Sequence, residues 1–116
     1  MNVETISQYC LSKKGAVEDF PFDEETLVFK VGGKMFALIP LEKIPLQINL
    51  KCDPEKAMEL REQSEDVQPG WHMSKKYWNT IILEGNIRWS DLKDWIDHSY
   101  YEVVKVLKKS EKIKLN

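Results

Sequence analysis

The sequence predicts an α+β domain: an antiparallel sheet of about five strands with helices packed on one face, in the order α-β-β-β-α-β-β-α. Three observations carry this. Residues 3–14 and 91–109 repeat apolar side chains at helical spacing, the chain between them holds short strand-like runs bounded by Gly and Pro, and Asp53-Pro54 opens a helix midway. Strands joined by tight turns pair antiparallel, and such a sheet can leave one face to solvent.

The first helix takes Val3, Ile6, Cys10 and Leu11 as its apolar stripe, with Gly15 placed to end it. An acidic, aromatic and proline-containing connector follows over 18–25. Residues 26–31 read as a strand, Gly32-Gly33 supplies the positive φ angles of a two-residue hairpin, and residues 34–39 return as a second strand closed by Pro40. Leu46, Ile48 and Leu50 alternate with Gln47, Asn49 and Lys51, the pattern of a half-buried third strand. Asp53 as N-cap and Pro54 in the first helical position start a helix that runs to Gln63 and turns Ala57, Met58 and Leu60 inward. Residues 64–70 read as loop, Trp71-His72-Met73 as a short strand, Lys75-Lys76-Tyr77 as a turn and 78–84 as the fifth strand. Ser90 is placed to cap the last helix, 91–109, whose stripe includes Leu92, Trp95, Ile96, Tyr100, Val103 and Leu107.

At 116 residues the chain is one domain, 1–116, long enough to bury roughly 65% of its unfolded surface. With 42% hydrophobic and 31% charged residues, the composition excludes a disordered chain, a collagen-like repeat and a membrane protein. Cys10 and Cys52 stand outside any CxxC spacing, as small buried thiols do in a reducing compartment. The N-terminus has neither the basic nor the apolar part of a signal peptide, and no apolar run approaches the ~20 residues of a membrane span. These features point to a cytoplasmic protein with no membrane partner.

Net charge is −2, but unevenly spread. Residues 1–66 hold eight Lys/Arg against thirteen Asp/Glu, and residues 67–116 nine against six. Catalytic signatures are absent: there is no GxSxG elbow and no phosphate loop, and Ser74 neighbours His72 only in sequence. His72 and His98 do not fall at zinc-ligand spacing with the cysteines, so no metal and no cofactor are expected. The most unusual stretch is Pro69–Thr80, which gathers Trp71, His72, Lys75, Lys76, Tyr77 and Trp78. Aromatic rings stack on bases while lysines neutralise phosphate. The same tryptophans suit a core beside a basic turn equally well. Lys30, Gln47, Asn49 and Lys51 would join this stretch on the open sheet face.

Read in order, several motifs resemble the MmcQ/YjbR family, small bacterial proteins with a CyaY-like (frataxin-like) α+β fold. They are Phe20-Pro21-Phe22, Val28–Val31 with Gly33–Ala37, Asn49–Glu55, Pro69–Thr80 and Ser99-Tyr100, and together they span essentially the whole chain. Trp71 stands where the family usually has Tyr or another aromatic, and Ser74 where it usually has Asn. The resemblance implies a double-wing DNA-binding motif. One wing would be the Gly32-Gly33 hairpin with Lys30 and Lys34, the other the Pro69–Thr80 segment with His72, Lys75, Lys76 and Trp78, and Lys51 would lie between them.

The expectation is a non-enzymatic domain that binds DNA without strong sequence preference. Lys34, Lys51, Lys75 and Lys76 would contact phosphate, and Trp71 or Trp78 would stack. A pI near 5.7 confines this to a local patch with steep salt dependence. The alternative is a protein-interaction or small-ligand module on the same face, with Trp71, His72 and Trp78 lining a shallow pocket. A CyaY-like fold also raises loose iron binding by the acidic connector, which its placement in a loop argues against.

Overall fold

The computed structural model describes residues 1–115. Helix α1 (Val3–Leu11) leads into β1 (Val17–Asp19), β2 (Thr26–Val31), β3 (Lys34–Pro40) and β4 (Gln47–Lys51). Helix α2 (Pro54–Gln63), β5 (Val67–Pro69), β6 (Trp78–Ile82), α3 (Trp89–Val104) and α4 (Lys109–Ile113) complete the order. The strands form one antiparallel sheet, β1-β2-β3-β4-β6-β5. The α+β class holds, with six strands rather than about five.

Local chemistry sets the elements. Asn2 caps α1 by accepting Thr5 N–H at 2.8 Å, and Asp53 caps α2 by accepting Lys56 N–H at 3.2 Å. Gly32 and Gly33, at φ +58° and +78°, make the β2–β3 turn. Phe29, Ile39, Ile48 and Leu50 from the sheet meet Ile6, Cys10, Leu92, Ile96 and Val103 from α1 and α3 in the main core. Each of the larger side chains contributes roughly 1.5–3 kcal/mol by leaving water. Ser99 ties α3 to the sheet: its hydroxyl donates to Phe36 C=O and accepts Lys51 N–H at 2.9 Å. His98 accepts the Asp53 N–H through Nε2 at 3.1 Å. Burial, then Lys56, holds its pKa below the ordinary histidine value.

Several expectations are corrected. Residues 17–19, which run into the expected connector at 18, pair with β2 as an edge strand, unseen in the sequence because all three are exposed. Trp71–Met73 is not a strand; the fourth expected strand lies earlier, at Val67–Pro69. Met58 faces outward, while Ala57 is buried. Helix α3 starts two residues early, with Arg88 at the N-cap and Ser90 inside the first turn. It stops at Val104, and a separate α4 follows. Between them Leu107 packs so tightly on the hairpin that a Cβ at Gly32 would lie 2.7 Å from it. Within the connector, Asp23 accepts N–H groups from Glu25 and Thr26, and those bonds hold its carboxyl below the usual range. Among the described residues no helix is long and apolar enough to cross a membrane.

Candidate functional site

The expected site residues fall on or around the sheet face turned away from the helices, which is only partly open. Val28, Leu38 and Trp78 form a second, smaller cluster there, covered by Met35 and Met73. The segment after β5 creates the cover. Gly70 N–H donates to Trp78 C=O at 2.8 Å. A Cβ at Gly70 would lie 2.7 Å from Trp78 Cβ and 3.0 Å from its carbonyl oxygen, so only glycine lets the chain pass this close to β6. Trp71 N–H then donates to Thr80 Oγ1 at 3.0 Å, and the Thr80 hydroxyl donates to Asn49 Oδ1. His72 turns the chain in a left-handed conformation, φ +58°, and Met73 drops onto the small cluster. Arg61 of α2 pins the return, donating to Asn79 Oδ1 at 2.7 Å, to Trp78 C=O at 3.1 Å and to Lys75 C=O.

Trp71 and His72 are thus held at an outer corner, ring centroids 4.8 Å apart and edge to face. Beside them lies a cleft of about 280 Å³. Leu38 and Asn49 are its buried lining, and Phe22, Trp71, His72 and Lys43 its exposed rim. Lys43 Nζ sits 5.9 Å from the Trp71 ring centroid. A second hollow of about 230 Å³ runs from Trp71 toward Gln68 and Thr80, and an outer one borders Glu25 and Glu42.

The lysines gather elsewhere. The β2–β3 hairpin, the end of β4 and the start of β6 share one end of the sheet, because Val31 pairs with Lys34 and Lys51 with Trp78. This places Lys34, Lys51, Lys75 and Lys76 at that end. Lys51 and Lys76 border a shallow hollow with Lys105, Asp53 and Glu102, and Lys105 is already paired with Glu102 at 2.5 Å.

The expected site therefore splits. Trp71 and His72 belong to the cleft, and four lysines to the opposite end. Lys30 lies near those lysines but is engaged by Asp19 at 3.4 Å. Trp78, at 8% exposure, packs with Val28 and Leu38, in line with the core role left open for it. Sequence reasoning missed Phe22, Lys43 and Arg61, which reach the site from distant segments. Gln47 and Asn49 were placed on the right face by strand alternation alone.

The YjbR family model matches residues 11–102. The chain is 34% identical over 107 residues to the uncharacterized protein YjbR of Escherichia coli K12, covering 92% of this chain and 91% of that one. It is 39% identical over 93 residues to the uncharacterized protein YbdF of Escherichia coli O157:H7, covering 79% and 75%. Among solved structures it is similar to that of a Deinococcus radiodurans protein with a DUF419 domain. There the TM-score is 0.92 at 38% identity, over 98% of this chain and 87% of that one. A Pseudomonas syringae protein matches with TM-score 0.72 and 28% identity, over 85% and 96%. With its motifs, its sheet and these relatives in agreement, the chain belongs to the YjbR family.

Proposed function

We propose that the chain is a non-enzymatic binding domain whose ligand occupies the cleft beside Trp71 and His72. The observation that carries this reading is the corner itself, where a non-glycine residue at φ +58° holds up a tryptophan that stays 61% exposed above a buried amide. Strain of order 1–3 kcal/mol in a backbone corner is a cost that functional sites retain. Non-enzymatic action is supported by the state of the reactive groups. Burial pushes the Cys10 thiol up to about 12 and Cys52 up to about 11, far from thiolate nucleophiles at neutral pH. Nε2 of His98 is occupied by the Asp53 N–H. Phenol, a neutral aromatic probe, tests the cleft by backbone amide chemical shifts. Shifts gathered at Thr26, Leu38, Asn49 and residues 71–73 are expected; shifts absent or spread evenly over the surface overturn the reading.

A second reading, DNA binding without strong sequence preference, is favoured by the convergence of Lys34, Lys51, Lys75 and Lys76 at one end of the sheet. Four phosphate contacts give a log–log salt slope near −3.6, about a 150-fold loss of affinity between about 50 and about 200 mM salt. Titration of a mixed-sequence duplex at those two concentrations, followed by tryptophan fluorescence, separates the readings. The lysine end predicts that fall, and no binding at low salt removes it.

A further inference from the structure

Resting on the cleft reading, we infer that the cleft takes a flat aromatic ring bearing hydrogen-bond acceptors and a single negative charge, the chemistry of a small aromatic carboxylate. Asn49 carries the argument. It is only 8% exposed and belongs to a relay with Trp71 and Thr80. Thr80 Oγ1 accepts Trp71 N–H and donates to Asn49 Oδ1, which turns the Asn49 amide nitrogen away from Thr80. Asn49 Nδ2 keeps both hydrogens and has no hydrogen-bond partner among the described residues, in a side chain that lines the cleft. The atom is open to solvent through the cleft, since among the described residues Ser7 Oγ is the buried side-chain polar atom left without a partner. A carboxylate or carbonyl oxygen entering the cleft replaces water at these two hydrogens.

Lys43 sets the charge. It forms no ion pair among the described residues, and it borders the cleft and both adjoining hollows. Glu25 and Glu42 border only the outer hollow, so a singly charged group meets the ammonium first, while a more highly charged one would also meet two carboxylates. Trp71, His72 and Phe22 provide ring surfaces for a flat ligand. About 280 Å³ is near the lower bound of small-molecule sites, enough for one or two rings.

Benzoate, benzamide and benzylamine share a ring and differ in the attached group: anion, neutral acceptor, cation. Amide-shift titrations of the full chain should rank benzoate first and benzylamine last, with about fivefold or more between them. Asn49→Asp keeps the shape and the Thr80 bond but replaces two donors with an anionic oxygen. It should weaken benzoate by about tenfold or more, and weaken it far more than phenol, whose hydroxyl can donate to the new carboxylate. Lys43→Met should weaken benzoate about threefold to tenfold and leave benzamide unchanged. Equal affinities, a preference for benzylamine, or benzoate binding unaffected by Asn49→Asp overturns this ligand class. Phenol shifts persisting in the cleft would then leave the cleft reading intact, whereas no probe binding there, phenol included, overturns both. Should Asn49→Asp fail to fold, the rank order of the three probes on the unaltered chain decides.

Discussion

The lysine end and the cleft end of the open sheet face treat their polar groups differently. At the lysine end Asp19 engages Lys30, Glu102 engages Lys105, and three carbonyl or amide oxygens share the Arg61 guanidinium. At the cleft end the Asn49 amide nitrogen has no partner within the described chain, and Lys43 has no ion pair. Lys34, Lys51, Lys75 and Lys76 form no ion pair among the described residues, so the lysine end presents a spread of unpaired cations, whereas the cleft end sets one such cation and one amide beside a hollow with aromatic walls. The first arrangement suits a polyanion and the second a small ligand, so charge density and concavity point to different partners.

Four measurements break or sharpen that contrast. The largest effect separates two tryptophans seven positions apart. Trp78→Ala should destabilise the chain by about 3–4 kcal/mol, and Trp71→Ala by no more than about 0.5 kcal/mol, in urea unfolding. Equal losses would mean that both are packing residues and would remove the cleft's main wall. Next, Gly70→Ala forces a Cβ against the Trp78 backbone and should cost about 1–3 kcal/mol. Phenol shifts at residues 71–73 should vanish with it, and their survival would show that the corner does not depend on this close approach.

At the lysine end, Lys75→Ala with Lys76→Ala should leave stability unchanged and halve the DNA salt slope, to near −1.8. The loss over a fourfold rise in salt then drops from about 150-fold to about 12-fold. An unaltered slope would place any DNA contact elsewhere. The smallest effect concerns His98, just beyond Lys51 and Cys52. Its folded pKa lies below the unfolded value, so the unfolded chain takes up the proton first. The stability this histidine contributes is complete above about pH 6.5 and declines as pH falls toward the folded pKa. Urea midpoints at about pH 7.5 and about pH 5.5 should differ more for the parent chain than for His98→Gln, which keeps an acceptor for the Asp53 N–H. Matching pH responses in the two chains would deny the histidine that role.

Much of the frame was legible because it rests on local signals. Gly32-Gly33, Asp53-Pro54 and the α3 stripe each encode their element within a few residues. What escaped depends on pairing or packing with distant chain. β1 and β5 are three residues each, too short for any period, and β1 is exposed throughout. The break before α4 answers Leu107 meeting Gly32, a contact between residues 75 positions apart that no periodicity announces. The site was half legible: Trp71 and His72 stand out by composition. The reversal at His72, which separates them from Trp78 and the lysines, follows from a single backbone angle. The cleft's other half comes from Phe22 and Lys43 in two remote loops.

The short outer strands have a consequence for how this molecule behaves in a crowd. An unpaired strand flank is a template on which another polypeptide can lay itself, the first step of aggregation. Here one flank is three residues carrying Glu18 and Asp19, and the other ends in Pro69, which has no N–H to offer. Neither supplies a run of free main-chain groups long enough to seed a ladder, so the domain should stay dispersed at high concentration. Its encounters are left to side chains on the broad surface, where selectivity can be written residue by residue.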